Sequence, residues 1–350
     1  MIKPKKLNPG DTIAVLSPSS GVPHEYPHIF DHGLNILKTE FWFRIKEYPT
    51  TRMNPKALYE NPKARADDMN QAFLDKEVRG IICSIGGDDS VRILKHLNTE
   101  AILKHPKFIM GFSDSTTFLA YLNKLGLVTY YGPSVMAGFS YLNCFPEAAE
   151  EYRKVFFENP LYDIKPFTVW ADAYQRWENP ENTGKVIKKR EDHIPHVWIN
   201  KGTKTTGCLW GGCLEVLDMI NGTFAWPETT FWSDRILMIE TSEDKPSPKQ
   251  VGYRLRNYGA QGILSSIRGL LIGKPKDYTD GEMLALYEEV KKVVAGEYGC
   301  DTLNIVANIG FGHTDPHHIL PMGVPLTIDP EKETLIFTET MFSIESGMCS

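Results

Sequence analysis

The sequence has no long apolar run and no excess of basic residues. Its apolar stretches fall short of the roughly 18 residues of a membrane helix, and residues 13–16, behind the basic N-terminus, are too short for a signal peptide. Lys and Arg number 38 against 44 Asp and Glu, a formal net charge of −6. A general binder of nucleic acid or anionic membranes would carry a basic footprint. We therefore expect a soluble, cytoplasmic protein with neither as a partner.

Cysteine is also scarce. Six cysteines occur in 350 residues and no CxxC is present. They are Cys83, Cys144, Cys208, Cys213, Cys300 and Cys349. Such sparse, irregular spacing suggests neither a disulfide framework nor a zinc site, so we expect reduced and mostly buried thiols.

One segment holds several possible metal ligands. His313, Asp315, His317 and His318 fall within six residues and are good ligand types. However, the sequence has no HExxH, Pro316 interrupts any helical spacing, and no second ligand cluster is present. We expect no metal and no cofactor.

The length allows two domains at roughly 100–200 residues each. Over residues 1–160, short apolar runs alternate with helical patterns, which predicts an α/β domain with a mainly parallel, Rossmann- or flavodoxin-like sheet. Residues 161–205 carry Trp170, Trp177 and Trp198 with several prolines, and we interpret them as a long connection. We expect residues 206–350 to form a second, mixed α/β domain, because residues 327–338 show the alternation typical of antiparallel strands.

The apolar patterns also predict individual elements. Strands are expected over residues 12–16, 80–85, 108–110, 128–131, 235–239, 267–272 and 302–307. Helices are expected over residues 28–38, 61–74, 89–97, 115–125, 211–220, 248–258 and 281–294.

The most informative segment is FIMGFSDSTTFLAYL, residues 108–122. A strand, a sharp turn at Ser113 and a helix form the context of a nucleophile elbow, which holds a serine hydroxyl out of the sheet. The fifth motif position is Ser115 rather than glycine, so the α/β-hydrolase pattern fails. Ser113, Asp114 or Ser115 could instead cap the helix.

An activated serine needs a base and a carboxylate that orients the base. His313 lies in the glycine-flanked loop NIGFGHTDP after a predicted buried strand, which allows close backbone approach. Glu240 ends the strand RILMIE, and Glu243 and Asp244 remain competitors. We prefer Glu240 because a strand end is more rigid than a loop.

The turn Gly86-Gly87-Asp88-Asp89 follows another predicted strand. Its N–H groups are candidates for an oxyanion hole together with the N–H of Asp114. A glycine turn before a helix also suits phosphate, so a nucleotide-dependent kinase that uses this loop is an alternative of another class. A third class is a binder that sequesters its ligand without reaction.

Taken together, these segments resemble the S66 serine peptidases, the family of LD-carboxypeptidases and microcin C7 immunity proteins. The resemblance spans GDTIAVLSPSSG, SIGGDDS, GFSDSTTFLAYL, GCLWGGCLEVL, ILMIETSED and NIGFGHTDP. The GGDDS turn is closer to the microcin immunity branch, whereas the carboxypeptidases tend to have an RGGYG-like turn.

The resemblance implies a metal-free amide hydrolase with a triad of Ser113, Glu240 and His313. It implies oxyanion donors at Gly87, Asp88 and Asp114, and a homodimer. In the immunity branch, loop aromatics stack on a nucleotide base, so Trp170, Trp177 and Trp198 are candidate substrate contacts. The implied substrate is a small peptide or a peptidyl or aminoacyl nucleotide. In the immunity branch, it would be an adenylate-like phosphoramidate, cut at an amide next to an acidic residue. In the cell-wall branch, it would be an LD-peptide bond in a muropeptide.

Overall fold

A computed structural model gives the structure of the chain and describes residues 1–172, 175–190 and 195–344. The strands in these residues are β1 (Thr12–Leu16), β2 (Arg44–Glu47), β3 (Val78–Cys83), β4 (Phe108–Gly111), β5 (Thr129–Tyr131), β6 (Val197–Asn200), β7 (Thr205–Cys213), β8 (Arg235–Glu240), β9 (Gly269–Gly273), β10 (Asn304–Ile309), β11 (Leu320–Met322), β12 (Pro325–Asp329) and β13 (Thr334–Phe337). The α-helices are α1 (Val22–Glu25), α2 (Pro27–Glu40), α3 (Pro55–Glu60), α4 (Pro62–Leu74), α5 (Thr99–Lys104), α6 (Thr116–Lys124), α7 (Pro146–Glu158), α8 (Leu214–Ile220), α9 (Pro248–Ala260), α10 (Ile263–Ser266) and α11 (Asp280–Lys291).

The strands form two sheets. The first has the order β11-β5-β4-β3-β1-β2 and is parallel from β2 to β5, with β11 antiparallel at its edge. The second has the order β13-β12-β7-β8-β9-β10-β6, with a parallel centre and antiparallel strands at both sides. The predicted fold class, a mainly parallel sheet followed by a mixed one, is confirmed.

The apolar runs predicted as strands lie at the centres of these sheets. Every residue of β1, β4, β9 and β10 is buried, as expected for parallel strands covered on both faces. The buried hydrophobic side chains of both sheets belong to one continuous cluster. Removal of this apolar surface from water is the main favourable term in folding. The second sheet therefore packs as part of the same core as the first.

The prediction of a helix over residues 211–220 is wrong at its start. Gly211 and Gly212 lie within strand β7, just before its last residue Cys213, and the helix begins only at Leu214. Both glycines have φ of 144°, and a Cβ on Gly212 would lie 2.5 Å from Thr116 Oγ1. A Cβ on Gly211 would instead meet the backbone of Met238 in β8, so the two glycines let β7 pass close to β8 and to α6, where sequence reasoning expected a turn.

Two other predicted helices differ from the structure. Residues 90–96 form a 3-10 helix instead of an α-helix, and α11 passes into a π-helical segment at Lys292–Glu297. The connection from 161 to 205 holds a 3-10 turn at Pro180–Asn182 and strand β6, and Trp170 pairs with Arg190 across it. The domain boundaries at 160 and 205 stay a prediction.

The five cysteines within the described residues are free thiols. Cys83 and Cys213 are buried and the other three are half-buried, while Cys349 lies outside the described residues. None of the helices in the described part of the chain is long and apolar enough to cross a membrane.

Candidate active site

Ser113 occupies the sharp turn between β4 and α6. Its φ is 57°, in the left-handed region that costs energy for a residue with a Cβ. Residues 113–115 form a 3-10 turn that leads directly into α6, and the N–H of Ser113 donates to the hydroxyl of Tyr131 at 3.1 Å. This is the strand–turn–helix geometry expected of a nucleophile elbow, although the glycine of the usual motif is replaced by Ser115.

His313 lies in the loop after β10 and faces Ser113. Its Nδ1 donates to Oε2 of Glu240 at 2.7 Å, and its Nε2 lies 3.1 Å from Oγ of Ser113. The preceding Gly312 has φ of 104°, and a Cβ there would lie 2.5 Å from Oε2 of Glu240. Glycine at 312 is therefore what lets the loop come close enough for the contact between His313 and Glu240.

Glu240 is the last residue of β8 and is 1% exposed. Its Oε2 accepts from His313, and its Oε1 accepts from the hydroxyl of Tyr131. The structure thus brings Ser113, His313 and Glu240 together in the order serine, imidazole, carboxylate. Such an arrangement can deprotonate a serine hydroxyl and stabilise the imidazolium that results.

Sequence reasoning missed Tyr131. The residue ends β5, next to β4 in the first sheet, and its hydroxyl touches both Ser113 and Glu240. The available signal was a polar side-chain tip at the carboxyl end of a predicted parallel strand, where sites of α/β proteins gather.

Glu243, a competitor of Glu240 in the sequence, contacts the other nitrogen of the imidazole. Its Oε2 lies 2.9 Å from Nε2 of His313, and its side chain is 64% exposed. His313 is therefore held between two carboxylates, one on each ring nitrogen. Asp244, the second competitor, is exposed at the edge of the same cavity.

These contacts shift two pKa values. Burial alone lowers the pKa of His313, but the charge of Glu240 and the hydrogen bonds to Glu240 and Glu243 outweigh it and raise this pKa from 6.5 to about 10. The hydrogen bond from His313 is the main cause that lowers the pKa of Glu243 from 4.5 to about 2. In this arrangement His313 carries both protons at neutral pH.

The loop after β3 packs directly against the serine. A Cβ added to Gly86 would lie 2.9 Å from Cβ of Ser113 and 3.5 Å from the backbone nitrogen of Asp114. Gly87 and Asp88 line the same cavity as Ser113, and the carbonyl of Gly86 accepts from the hydroxyl of Ser20 at 2.6 Å. The loop backbone and the start of the 3-10 turn therefore border one space in front of Ser113.

The side chains of two acidic residues near this loop have structural partners. Asp114 is fully buried, its Oδ2 accepts from the N–H of Ser90, and burial raises its pKa to about 6. Asp89 pairs with Arg65 at 2.6 Å and Arg92 at 2.7 Å. Any contribution of Asp114 to an oxyanion site therefore comes from its backbone.

A cavity of about 500 Å³ opens in front of Ser113 and His313. Of the three candidate tryptophans, Trp177 lines it, while Trp170 borders a separate small cavity and Trp198 lies on the edge strand β6. The Trp177 indole N–H donates to the hydroxyl of Tyr141, and its ring meets that of Tyr26 edge to face at 5.6 Å. The indole is therefore held in a fixed position at the cavity wall.

The histidines that follow His313 have other surroundings. His317 is buried with its ring 4.7 Å from that of Phe112, and burial lowers its pKa to about 3. His318 stacks on Phe167 and lies 3.0 Å from Glu151. Within residues 1–172, 175–190 and 195–344, no group of three or more His, Cys, Asp or Glu is arranged to hold a metal ion.

Two family models match the chain. The model described as the LD-carboxypeptidase N-terminal domain matches residues 13–132, and the LD-carboxypeptidase C-terminal domain matches residues 206–328. The chain belongs to the S66 peptidase family. The first match contains Ser113 and the second contains Glu240 and His313. This S66 peptidase is accordingly a serine-type carboxypeptidase or amidase, and its family favours hydrolysis over the kinase alternative.

Both branches of the family occur among its relatives. A Bacillus subtilis protein named "Probable murein peptide carboxypeptidase" is 33% identical over 77% of this chain and 74% of its own length. The Escherichia coli microcin C7 self-immunity protein MccF is 25% identical over 96% of this chain and 95% of its own. Among solved structures, an MccF-like protein of Streptococcus pneumoniae in complex with AMP has a TM-score of 0.82 and 28% identity, and the match covers 94% of this chain and 99% of that one.

Proposed function

We propose that this S66 peptidase hydrolyses an amide bond without a metal, with Ser113 as nucleophile, His313 as general base and Glu240 as the carboxylate that orients it. The observation that carries this proposal is the contact series from Ser113 Oγ to His313 Nε2, 3.1 Å, and from His313 Nδ1 to Glu240, 2.7 Å. The left-handed φ of Ser113 supports the same role, because strained serines at strand–helix turns are typical of nucleophiles.

The chemistry proceeds in two halves. Neutral His313 takes the proton of Ser113 as Oγ bonds to the amide carbon, and the carbonyl oxygen becomes an oxyanion that the N–H of Asp114 and the Gly87–Asp88 turn stabilise. His313 then gives its proton to the leaving nitrogen, the C–N bond breaks, and an acyl-enzyme remains. Water, deprotonated by His313, attacks the ester, and the carboxylic acid leaves as Ser113 recovers its proton.

The substrate class that we favour is a peptidyl or aminoacyl nucleotide. Trp177 presents an aromatic ring at the wall of a cavity of about 500 Å³, the size range of a small-molecule site. An aromatic ring of this kind can stack on a nucleotide base. The similar Streptococcus pneumoniae protein was solved with AMP, and MccF is named for microcin immunity. We keep Trp177 as the base-stacking residue, while Trp170 and Trp198 lie outside this cavity lining.

A second candidate is an LD-carboxypeptidase that acts on muropeptides. The 33% identity to the murein peptide carboxypeptidase of Bacillus subtilis favours it, as do the descriptions of both family models. The same triad would serve, since only the groups around the scissile amide differ.

A homodimer in the cytoplasm belongs to both versions of the proposal, and light scattering after size-exclusion chromatography tests the oligomeric state.

The decisive experiment compares wild-type protein with Ser113→Ala on an aminoacyl sulfamoyl adenosine and on a tetrapeptide muropeptide. We expect the wild type to cleave the nucleotide and the variant to lose about 10⁴- to 10⁶-fold in rate. Undiminished hydrolysis by Ser113→Ala would refute the nucleophile, and cleavage of the muropeptide alone would establish the second candidate instead.

A further inference from the structure

His313 Nε2 has two neighbours but only one position for a proton. Oε2 of Glu243 lies 2.9 Å away and Oγ of Ser113 lies 3.1 Å away. A carboxylate oxygen only accepts hydrogen bonds, so its contact with Nε2 requires a proton on that nitrogen. A nitrogen that already holds this proton cannot accept the one from Ser113. The arrangement in the structure is therefore a resting state in which Glu243 keeps the base occupied.

Glu243 is placed so that it can leave. It lies three residues beyond the end of β8, and its side chain is 64% exposed, whereas that of Glu240 is fully buried. Glu240 is also tied to Tyr131, so it stays on Nδ1 when Glu243 moves. Movement of Glu243 into the cavity would remove one negative charge from the imidazole and favour its neutral form.

The cavity that would receive Glu243 is acidic. Its lining includes the carboxylates of Asp88, Glu215, Glu243 and Asp244, and no Lys or Arg among the described residues lines it. Glu215 accepts from the N–H and the hydroxyl of Ser242, whereas Asp88 and Asp244 are exposed. Lys276 is near enough to lower the pKa of Glu243, but it lies outside the lining. A substrate carboxylate would meet repulsion here, and a substrate ammonium would find a partner.

We propose that Glu243 determines substrate specificity by releasing His313 only when an ammonium group of the substrate draws its carboxylate away. The proposal rests on the proposed function and narrows the substrate to one whose residue at the scissile amide carries a basic side chain. This preference is opposite to the acidic residue that the resemblance to the microcin immunity branch implies. Glu243 acts here through His313 and the substrate charge, while Ser113 and His313 perform the bond-making steps.

The test uses two probes that differ in one side chain, lysyl and aspartyl sulfamoyl adenosine. We expect the wild type to cleave the lysyl compound with a kcat/KM at least about tenfold higher, the factor that a single close charge contact supplies. Glu243→Gln should reduce this ratio several-fold and move the rising limb of the pH profile of kcat/KM to lower pH. Asp244→Asn is the matched control: it removes the same charge from the cavity without contacting His313, so the limb should keep its wild-type position.

Two further measurements keep the result independent of turnover. Calorimetric binding to Ser113→Ala should show tighter binding of the lysyl than of the aspartyl compound, and histidine NMR titration should show a lower pKa of His313 in Glu243→Gln. Equal binding, binding of neither compound, or an unchanged His313 titration would overturn the role of Glu243. Hydrolysis that survives Ser113→Ala would instead refute the proposed function.

Discussion

The hydroxyl of Tyr131 donates a hydrogen bond to Oε1 of Glu240 and thereby joins the ends of two strands from different sheets. The same oxygen accepts the N–H of Ser113 at 3.1 Å. Burial is the main cause that raises the pKa of Tyr131 well above its ordinary value, so the phenol keeps its proton and donates. The hydroxyl of Tyr131 therefore positions both the turn that carries Ser113 and the carboxylate of Glu240 that contacts His313.

Replacement of Tyr131 by phenylalanine should impair catalysis. The change leaves a buried acceptor on Glu240 and a buried donor on Ser113 without this partner. An unsatisfied buried group of this kind costs about 1–3 kcal/mol of stability. We expect kcat to fall about 10- to 100-fold with a small change in KM. The matched control is Tyr130→Phe in the same strand, whose hydroxyl donates to the carbonyl of Met341, away from the triad. Equal kcat values in the two variants would contradict a positioning role for Tyr131.

The rate should depend on pH through His313. In the free protein this residue stays protonated up to a pKa of about 10, so kcat/KM of the wild type should rise with pH toward that value. Besides Glu240 and Glu243, Asp315 and His317 interact electrostatically with His313. A rate profile that is already flat above pH 7 in the free enzyme would contradict the occupied state of Nε2.

The stability of the fold should also depend on pH through His313, but it should fall as the rate rises. Because the pKa of His313 in the folded chain lies above 6.5, its protonation stabilises the fold fully below about pH 6.5, and this contribution is lost as pH rises through about 10. The free energy of unfolding of the wild type, measured with urea, should therefore decrease between pH 6.5 and about pH 10. The free energy of unfolding of Glu243→Gln should decrease less over this range, because the pKa of His313 is lower without that carboxylate. The same pH dependence in both proteins would count against this account.

Trp177 should affect nucleotide binding and leave the muropeptide reaction intact. Loss of a stacking ring costs about 1–3 kcal/mol per base, so Trp177→Ala should raise KM for aminoacyl sulfamoyl adenosine about 5- to 150-fold. Trp198→Ala serves as the control, because Trp198 lies on the edge strand β6, outside the cavity lining. Equal KM values for the two variants would show that Trp177 does not stack on the base.

The glycine-rich loop should depend on Asp89 for its stability. The guanidinium of Arg65 is fully buried, donates two hydrogen bonds to Asp89 and also binds the carbonyls of Pro18 and Ser19. Asp89→Ala leaves this buried cation without its carboxylate, so we expect a loss of about 3–5 kcal/mol in urea unfolding.

An exposed ion pair provides the comparison for that loss. Asp67→Ala breaks the exposed pair of Asp67 with Lys63 and should cost less than about 1 kcal/mol. The prediction for Asp89 fails if the two variants unfold at the same urea concentration.

Much of the fold was predictable because it depends on local patterns. The buried runs that became β1, β4 and β8 are apolar over three or four consecutive residues, and the helix after Ser113 follows from its spacing. The end of strand β7 was not predictable, because Gly211 and Gly212 are also favourable in a turn. In the structure, the backbone of Met238 leaves no room for a Cβ on Gly211, and α6 leaves none on Gly212. Only the packed structure reveals that Thr116 occupies the space a side chain would take.

The sequence by itself determined the family, the two kinds of sheet and the three residue types proposed for the triad, since these depend on motifs and on the order of apolar and polar residues. The tertiary structure decided which carboxylate faces which nitrogen of His313. Glu240 and Glu243 are three residues apart and chemically alike, yet one is buried against Nδ1 and the other is exposed against Nε2. Their difference comes from where β8 ends and how the loop at Gly312 approaches it, which are long-range contacts that no local pattern contains.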